Sequence, residues 1–266
     1  TYSIAAAVGY LSHDGAIKYN DFERFTFRLN SSMDFLDGKM TIGENMQLAQ
    51  SNQTPFSDYV FGGNPLNTAI LLHPIIPVYA EDGSFAGPIG GGLSDRLNPL
   101  ATSTFQRDDN NQVRSIYGNL YMDLSITDNL QFRSNFGLDY DDEDQLTTLE
   151  RFSIGFLSRE PNRLVNDNRG STSWTWHNTI NYSAEVENHS ANILAGVEAT
   201  RSTTQFLSAS RQQFLLETDN FWQLDAGSGP VSVSGNETGY RLLSYFSKVN
   251  YDYAGRYLAT ATLRYD

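Results

Sequence analysis

Stretches of about ten residues that alternate apolar and polar, the length a tilted strand needs to cross a bilayer, run through this chain in pairs joined by very short polar turns. Between the pairs the connections are long, polar and glycine-rich. The first pair sets the pattern. From Arg24 the odd positions Phe25, Phe27, Leu29, Met33 and Phe35 are apolar, while Arg28, Asn30, Ser32 and Asp34 fill the even ones. A turn at Asp37-Gly38 reverses the chain, and beyond it Met40, Ile42, Met46 and Leu48 face one way and Thr41, Gly43, Asn45, Gln47 and Ala49 the other. A period of two places one set on each side of a sheet, so one face of the hairpin is apolar and the other small or polar. Short turns at one end and long loops at the other predict a transmembrane β-barrel.

Three more pairs repeat the plan. In residues 113 to 126, Ile116, Leu120, Met122, Leu124 and Ile126 share a face opposite Ser115, Asn119, Asp123 and Ser125. After Thr127-Asp128-Asn129 the return strand sets Leu130, Phe132, Phe136, Leu138 and Tyr140 against Gln131, Arg133, Asn135 and Asp139. Residues 172 to 183 and 190 to 200 form a third pair with Trp174, Trp176, Ile180 and Tyr182 together, but Ile193 and Leu194 have opposite parity and leave its return strand ambiguous. The fourth, 241 to 253 with 256 to 266, turns at Ala254-Gly255 and aligns Leu243, Tyr245, Val249, Tyr251 and Tyr253. With residues 2 to 11 as half of another hairpin, about nine strands are expected, all-β and antiparallel. Phe27, Leu29, Leu120, Leu124, Phe136 and Val249 are the positions expected to face lipid.

Composition permits this reading. The hydrophobic fraction is 39%, mean hydropathy is -0.42, and no stretch approaches the apolar length of a spanning helix. Only every second residue of a barrel strand meets lipid, which hides the membrane signal from such averages. Tyr and Phe number 15 and 16 against 3 Trp, many near strand ends as aromatic girdles require, although aromatics also favour strands generally. The formal charge of -13 argues against a nucleic-acid partner, and the absence of cysteine disfavours a disulfide scaffold. The chain starts and stops inside strands. It is expected to be a fragment, 1 to 266, of a larger barrel domain, because single-chain bacterial barrels close with even strand numbers and open edges are not tolerated in lipid.

Residues 52 to 112 form a connection too long for an ordinary loop. It contains His73-Pro74-Ile75-Ile76-Pro77-Val78-Tyr79, Glu81-Asp82-Gly83-Ser84-Phe85, Gly90-Gly91-Gly92 and Asn98-Pro99-Leu100-Ala101. Together these resemble the large extracellular loop of SusC/RagA-type TonB-dependent outer-membrane transporters. The final hairpin, Leu242 to Tyr251 followed by Gly255 to Arg264, resembles that family's barrel as well, as do Gly9-Tyr10, Asp14-Gly15 and the segment Phe22 to Asn30. The resemblance covers most of the chain and is weakest over 141 to 171 and 205 to 238. It implies a barrel of about 22 strands with a plugged lumen. It also implies import of oligosaccharides or peptides, energy from TonB with ExbB and ExbD, and a SusD-like surface lipoprotein as lid. The family's plug and TonB box are not in this chain. Family orientation puts the short turns in the periplasm and the loops at about 12 to 21, 52 to 112, 141 to 171 and 205 to 238 outside.

Tyr59, Phe61, Tyr79 and Phe85 in the largest loop are candidates to touch substrate, since aromatic rings stack on sugars; the more ordinary reading is that they anchor the loop or contact the lid. A loop this long adds little to barrel closure and is expected to be removable. The acidic run Asp139, Asp141, Asp142, Glu143 and Asp144 lacks the spacing and glycine of an EF-hand and reads as a solvated strand end. His13, His73, His177 and His189 show no metal-ligand spacing, Gly87 to Gly92 reads as a flexible turn without a phosphate-loop lysine, and no nucleophile elbow is present, so no metal, cofactor or catalytic site is assigned. Two other readings compete: a soluble or surface carbohydrate-binding β-sandwich or adhesin, and an outer-membrane barrel enzyme. Sandwich strands average about 5 to 6 residues, shorter than these, and an enzyme needs a convergent catalytic set.

Overall fold

The computed structural model of the chain describes residues 1 to 56, 64 to 90, 92 to 218 and 220 to 266. Nine strands form one antiparallel sheet in the order β1-β2-β3-β4-β5-β8-β9-β10-β11, each beside its predecessor except where the two-stranded β6-β7 hairpin intervenes. The strands are β1 (Tyr2–Asp14), β2 (Asp21–Phe35), β3 (Met40–Gln53), β4 (Asn110–Thr127), β5 (Leu130–Leu149), β8 (Arg163–Val186), β9 (His189–Gln212), β10 (Val231–Tyr253) and β11 (Tyr257–Tyr265). β6 (Phe152–Ile154) and β7 (Leu157–Arg159) pair only with each other. The sheet is not closed: β1 and β11 are its edges.

Turn chemistry fixes one end. Leu36, Asp37 and Gly38 all have positive φ between β2 and β3, as do Glu187 between β8 and β9 and Ala254 and Gly255 between β10 and β11. Left-handed residues of this kind match the twist of a tight hairpin, and Gly and Asp tolerate them best.

The register confirms the parity reading. Val8 pairs Phe27, Phe27 pairs Leu48, Leu48 pairs Ile116 and Ile116 pairs Tyr140, so direct partners carry one face across the sheet. Leu120 pairs Phe136, which pairs Trp176; Leu124 pairs Phe132, which pairs Ile180. Val249 pairs both Ile193 and Ala261, and Leu29 pairs Ala6 and Met46. The third pair's ambiguity resolves here: Ile193 joins the apolar face opposite Tyr182, while Leu194 lies on the polar face opposite Asn181 and Lys248. Ile126 falls at a register shift between Ser125 and Thr127, so its parity no longer follows that of Leu124.

Strand lengths differ from expectation. About half of each of the segments 141 to 171 and 205 to 238 is ladder, because β5 continues to Leu149, β8 starts at Arg163, β9 runs to Gln212 and β10 starts at Val231. Beyond a bilayer both faces of a strand meet water, so alternation fades while backbone pairing persists; the polar pattern there had suggested loops. The true connections are residues 15 to 20, 54 to 109, 150 to 162 and 213 to 230. For the same reason Asp139 to Asp144 lies inside β5 rather than at its end, its members splayed alternately to the two faces.

Buried hydrophobics gather at the long-loop end, in two clusters built on Leu97, Ala101, Phe152, Ile154 and Leu157 and on Leu164, Phe214 and Trp222. The spanning part of the sheet instead leaves its apolar residues exposed on one face, Tyr10, Leu120, Trp176 and Leu243 among them.

Candidate functional site

Two features of the sheet can meet a ligand: a cap formed by the long loops, and the polar inner face. The cap contains helices α1 (Pro65–Leu71) and α2 (Pro99–Phe105), each starting with the same device. An Asn-Pro pair supplies a side-chain cap and a first helical residue that needs no donor: Asn67 N donates to Asn64 Oδ1 at 3.0 Å, and Leu100 N to Asn98 Oδ1 at 3.0 Å. Between the helices Val78 to Ala86 folds into a hairpin-like loop, with Tyr79 bridged to Phe85. Its tip is closed by Asp82, which accepts from the amide and hydroxyl of Ser84 at 2.9 and 2.6 Å, and by Gly83 at positive φ. Those two hydrogen bonds hold the Asp82 carboxyl below its ordinary range.

Asn98 organises the cap. It is buried, caps α2 with its carbonyl, and donates through Nδ2 to Val78 O at 2.8 Å and Ala86 O at 3.0 Å, which fastens the 78 to 86 loop to the helix. Phe85 then meets Phe105 edge-on at 6.3 Å, and Phe105 stacks on Phe152 at 5.4 Å. Gly155, at positive φ, brings the β6-β7 hairpin so close that an added Cβ would lie 2.1 Å from Pro88 O; Phe156 N donates to that same oxygen at 3.0 Å. Gly87 is no free turn either, since a Cβ there would meet Ile154 at 2.6 Å. The large loop is therefore not a removable appendage. Deleting it would strip the cover from Phe152, Ile154 and Leu157.

A second tie joins the neighbouring loop. Asn162 donates to Phe214 O at 3.0 Å and to Glu217 Oε1 at 2.6 Å and accepts from Phe214 N at 2.8 Å, while Arg151 pairs with the same carboxylate at 2.9 Å. Asp109, at the foot of the cap, is buried and accepts from Thr148 N at 2.7 Å and Thr148 Oγ1 at 2.9 Å. Burial outweighs those bonds and pushes its pKa up to about 7. Burial also raises Glu150, against the opposing pull of Arg107 at 3.3 Å, and depresses Arg159.

The sequence-predicted aromatics separate on this frame. Tyr59 and Phe61 lie outside the described residues. Phe85 is committed to the cap's core, whereas Tyr79, stacked on it at 5.7 Å, is 53% exposed. Sequence reasoning passed over exposed aliphatic residues of the same loop. Leu66 and Ile70, one helical turn apart on α1, are exposed, Ile70 at 79%, as are Ile75 and Ile89. Their i, i+4 spacing after an Asn-Pro start was the available signal. Apolar side chains left in water on a loop otherwise built around a core are candidates for a contact surface.

The inner face forms a concave hollow of about 750 Å³, lined among others by Arg28, Asn30, Asn45, Asn119, Asn135 and Asp139. Asn45 donates to Asn119 at 3.1 Å, and Asn119 to Asn135 at 2.6 Å, with Asn30 directly opposite Asn45. Arg28 donates to Gln47 at 2.7 Å, and Arg133 grips Asp123 through two nitrogens. Side-chain amides present both donors and acceptors, which suits sugar hydroxyls and peptide groups alike. Among the described residues no group of three His, Asp or Glu is placed to hold a metal ion.

No family model matches the chain. It is 27% identical over 278 residues to the TonB-dependent receptor P26 of Formosa agariphila, matching 99% of this chain and 26% of that protein. It is 22% identical over 285 residues to the TonB-dependent receptor SusC of Bacteroides thetaiotaomicron, matching 98% of this chain and 27% of that one. The chain thus spans about a quarter of the length of these relatives. Among solved structures, the RagAB peptide transporter superposes with a TM-score of 0.79 at 18% identity, over 99% of this chain and 30% of the other. The siderophore receptor PiuA from Acinetobacter baumannii gives 0.54 at 13% identity, over 98% and 38%. At such identities these structures speak to the barrel fold.

Proposed function

We propose that this chain, a segment of the barrel wall of a SusC/RagA-type TonB-dependent receptor in the outer membrane, serves an active importer of oligosaccharides or peptides. The observation that carries the reading is one continuous apolar face across nine strands backed by an amide-rich polar face. A soluble sandwich would bury such an apolar face against a second sheet. Here it is exposed, as a lipid-facing surface is, and all its strands but β11 are about two to four times the usual sandwich length. Phe27, Leu29, Leu120, Leu124, Phe136 and Val249 face lipid in this proposal. The plug, the TonB box and the strands that complete the barrel domain lie outside residues 1 to 266, and energy reaches the receptor from TonB with ExbB and ExbD through those parts.

The short turns face the periplasm and the cap faces outside. The cap's rigid frame holds Leu66, Ile70, Ile75 and Tyr79 outward, and this surface seats a SusD-like lipoprotein lid at the entrance to the substrate path. Because the cap is packed against the β6-β7 hairpin, the decisive experiment alters its surface and leaves its core intact. Replacing Leu66, Ile70 and Ile75 with serine in the full-length receptor should leave outer-membrane abundance and heat-modifiable gel mobility unchanged. Lipoprotein co-purification and substrate-dependent growth should fall together. Wild-type co-purification and growth in that variant would refute the docking role.

A further inference from the structure

A carboxyl interrupts the outward face in mid-band. Glu44 is the fifth residue of β3 and shares the parity of Met40, Ile42, Met46 and Leu48. At about 3.3 Å per residue and a tilt near 40°, it stands about 10 Å above the short-turn end of an apolar band about 25 Å tall. Its register partners are Ser31 on β2 and Leu120 on β4. The Ser31 hydroxyl donates to Oε1 and Oε2, both at 2.6 Å. One proton thus serves both oxygens of a group with about four acceptor positions. The side chains around it on that face, Leu29, Met33, Met46 and Met122 among them, have no donor to add, and neither has hydrocarbon.

A carboxyl at such a depth is expensive, and it is tolerated where it meets protein or a water-filled cavity rather than lipid. The surroundings point the same way. All 4 methionines of the chain lie on this patch. Met33 and Met122 are the two register partners of Ile42, and Met40 and Met46 share the outward side of β3 with Glu44. Thioether side chains are flexible and polarizable and fit themselves to irregular partner surfaces, a property that fluid acyl chains do not call for. The polar break at Ser134, by contrast, is uncharged and is met by Trp176 Nε1 at 3.0 Å. β2, β3 and β4 each have a hydrogen-bonded strand on both sides, so the exposure of the patch is that of an outer wall and not of a sheet edge.

We propose that a second copy of the receptor packs on this patch within the membrane, about a two-fold axis that runs along the membrane normal beside Glu44. A partner here has to present polar atoms at the depth of Glu44. A second copy inserted in the same direction holds its own serine and carboxyl at that depth, and a two-fold contact is self-complementary, each patch meeting the same patch. Two hydroxyls and two carboxyls then lie against one another instead of against acyl chains, and the methionines of both copies close the gap around them. A spanning segment of another protein would need a donor of its own at the same depth.

The inference rests on the outward face meeting lipid, and one set of variants separates the two. Residues 1 to 266 contain no cysteine, so Ile42→Cys can be the single cysteine of the full-length receptor. In outer membranes a lipid-soluble maleimide should label it and a charged maleimide should not; labelling by the charged reagent would sink the lipid-facing reading and the contact with it. A short lipid-soluble bismaleimide should then join two receptors through Ile42→Cys, giving a band at twice the receptor's mass. Leu138→Cys, on the same face but two strands from Glu44, should give none. Adding Glu44→Leu to Ile42→Cys should cut the yield roughly fivefold, whereas Glu44→Gln, which keeps a polar amide at that depth, should cut it much less. Lipid-soluble labelling without a receptor pair overturns the second-copy contact, and so does a product with a different protein in its place. Equal yields at Ile42→Cys and Leu138→Cys mark random collision and overturn it too. An unchanged yield with Glu44→Leu removes Glu44 from the contact. If Glu44→Leu loses its heat-modifiable mobility, Met46→Ala on the same patch decides by the same criterion.

Discussion

Phe136→Arg is the sharpest test of which face meets lipid. Phe136 lies about six positions from the short-turn end of β5, near the middle of the apolar band, and is 39% exposed. Its register partners are Leu120 and Trp176, and the nearest carboxylate in that row, Glu44, stands two strands away opposite Leu120, so a new guanidinium has no directly opposed counter-charge. An arginine at such a depth costs about 2 to 4 kcal/mol. Loss of the stacked contact with Trp174, ring centres 6.1 Å apart, adds about 0.5 to 1.5 kcal/mol. The expected total is about 3 to 5 kcal/mol. The matched control is Asn30→Arg on the opposite face, beside Arg28 and opposite Asn45, where water surrounds the new charge and the expected change is within about 1 kcal/mol. Both are measured by equilibrium unfolding of the complete receptor in lipid vesicles, as a shift in denaturant midpoint at constant slope. Equal losses at the two positions would reject the face assignment, and a larger loss at Asn30 would invert it.

Gly155→Ala should loosen the cap without touching the barrel, because the new methyl would collide with Pro88 O in a backbone already at positive φ; limited proteolysis should show faster cleavage between residues 64 and 109 at unchanged heat-modifiable mobility. Asp109 makes the same attachment depend on pH. Its folded pKa of about 7 lies above the ordinary carboxyl value of 3.8, so the native state holds a proton that the unfolded state releases, and stability falls as pH rises from about 4 to about 7 and levels off above. Hydrogen exchange at Thr148 N should therefore be slower at pH 5 than at pH 8 after correction for intrinsic rates, and Asp109→Asn should remove most of that difference; an unchanged difference would show that another group controls it.

Much of the barrel was legible in the chain because a strand's side chains alternate strictly and a bilayer rewards only one side. Phe25 to Phe35, Met40 to Leu48 and Leu120 to Leu124 announce their faces without any knowledge of their neighbours. The left-handed turns at Asp37-Gly38 and at Gly255 were written in residues that tolerate positive φ, whereas nothing in Ala254 announced its own. Where the solvent is the same on both sides, the alternation carries nothing, and the outer halves of β5, β8, β9 and β10 read as loops although their backbones continue the ladder. Only register could assign Ile193 to the apolar face and Leu194 to the polar one. The cap lay still further from view. Asn98 holding Val78 and Ala86, Gly155 against Pro88, and Asp109 under Thr148 are contacts between segments far apart in sequence, and no local period records them.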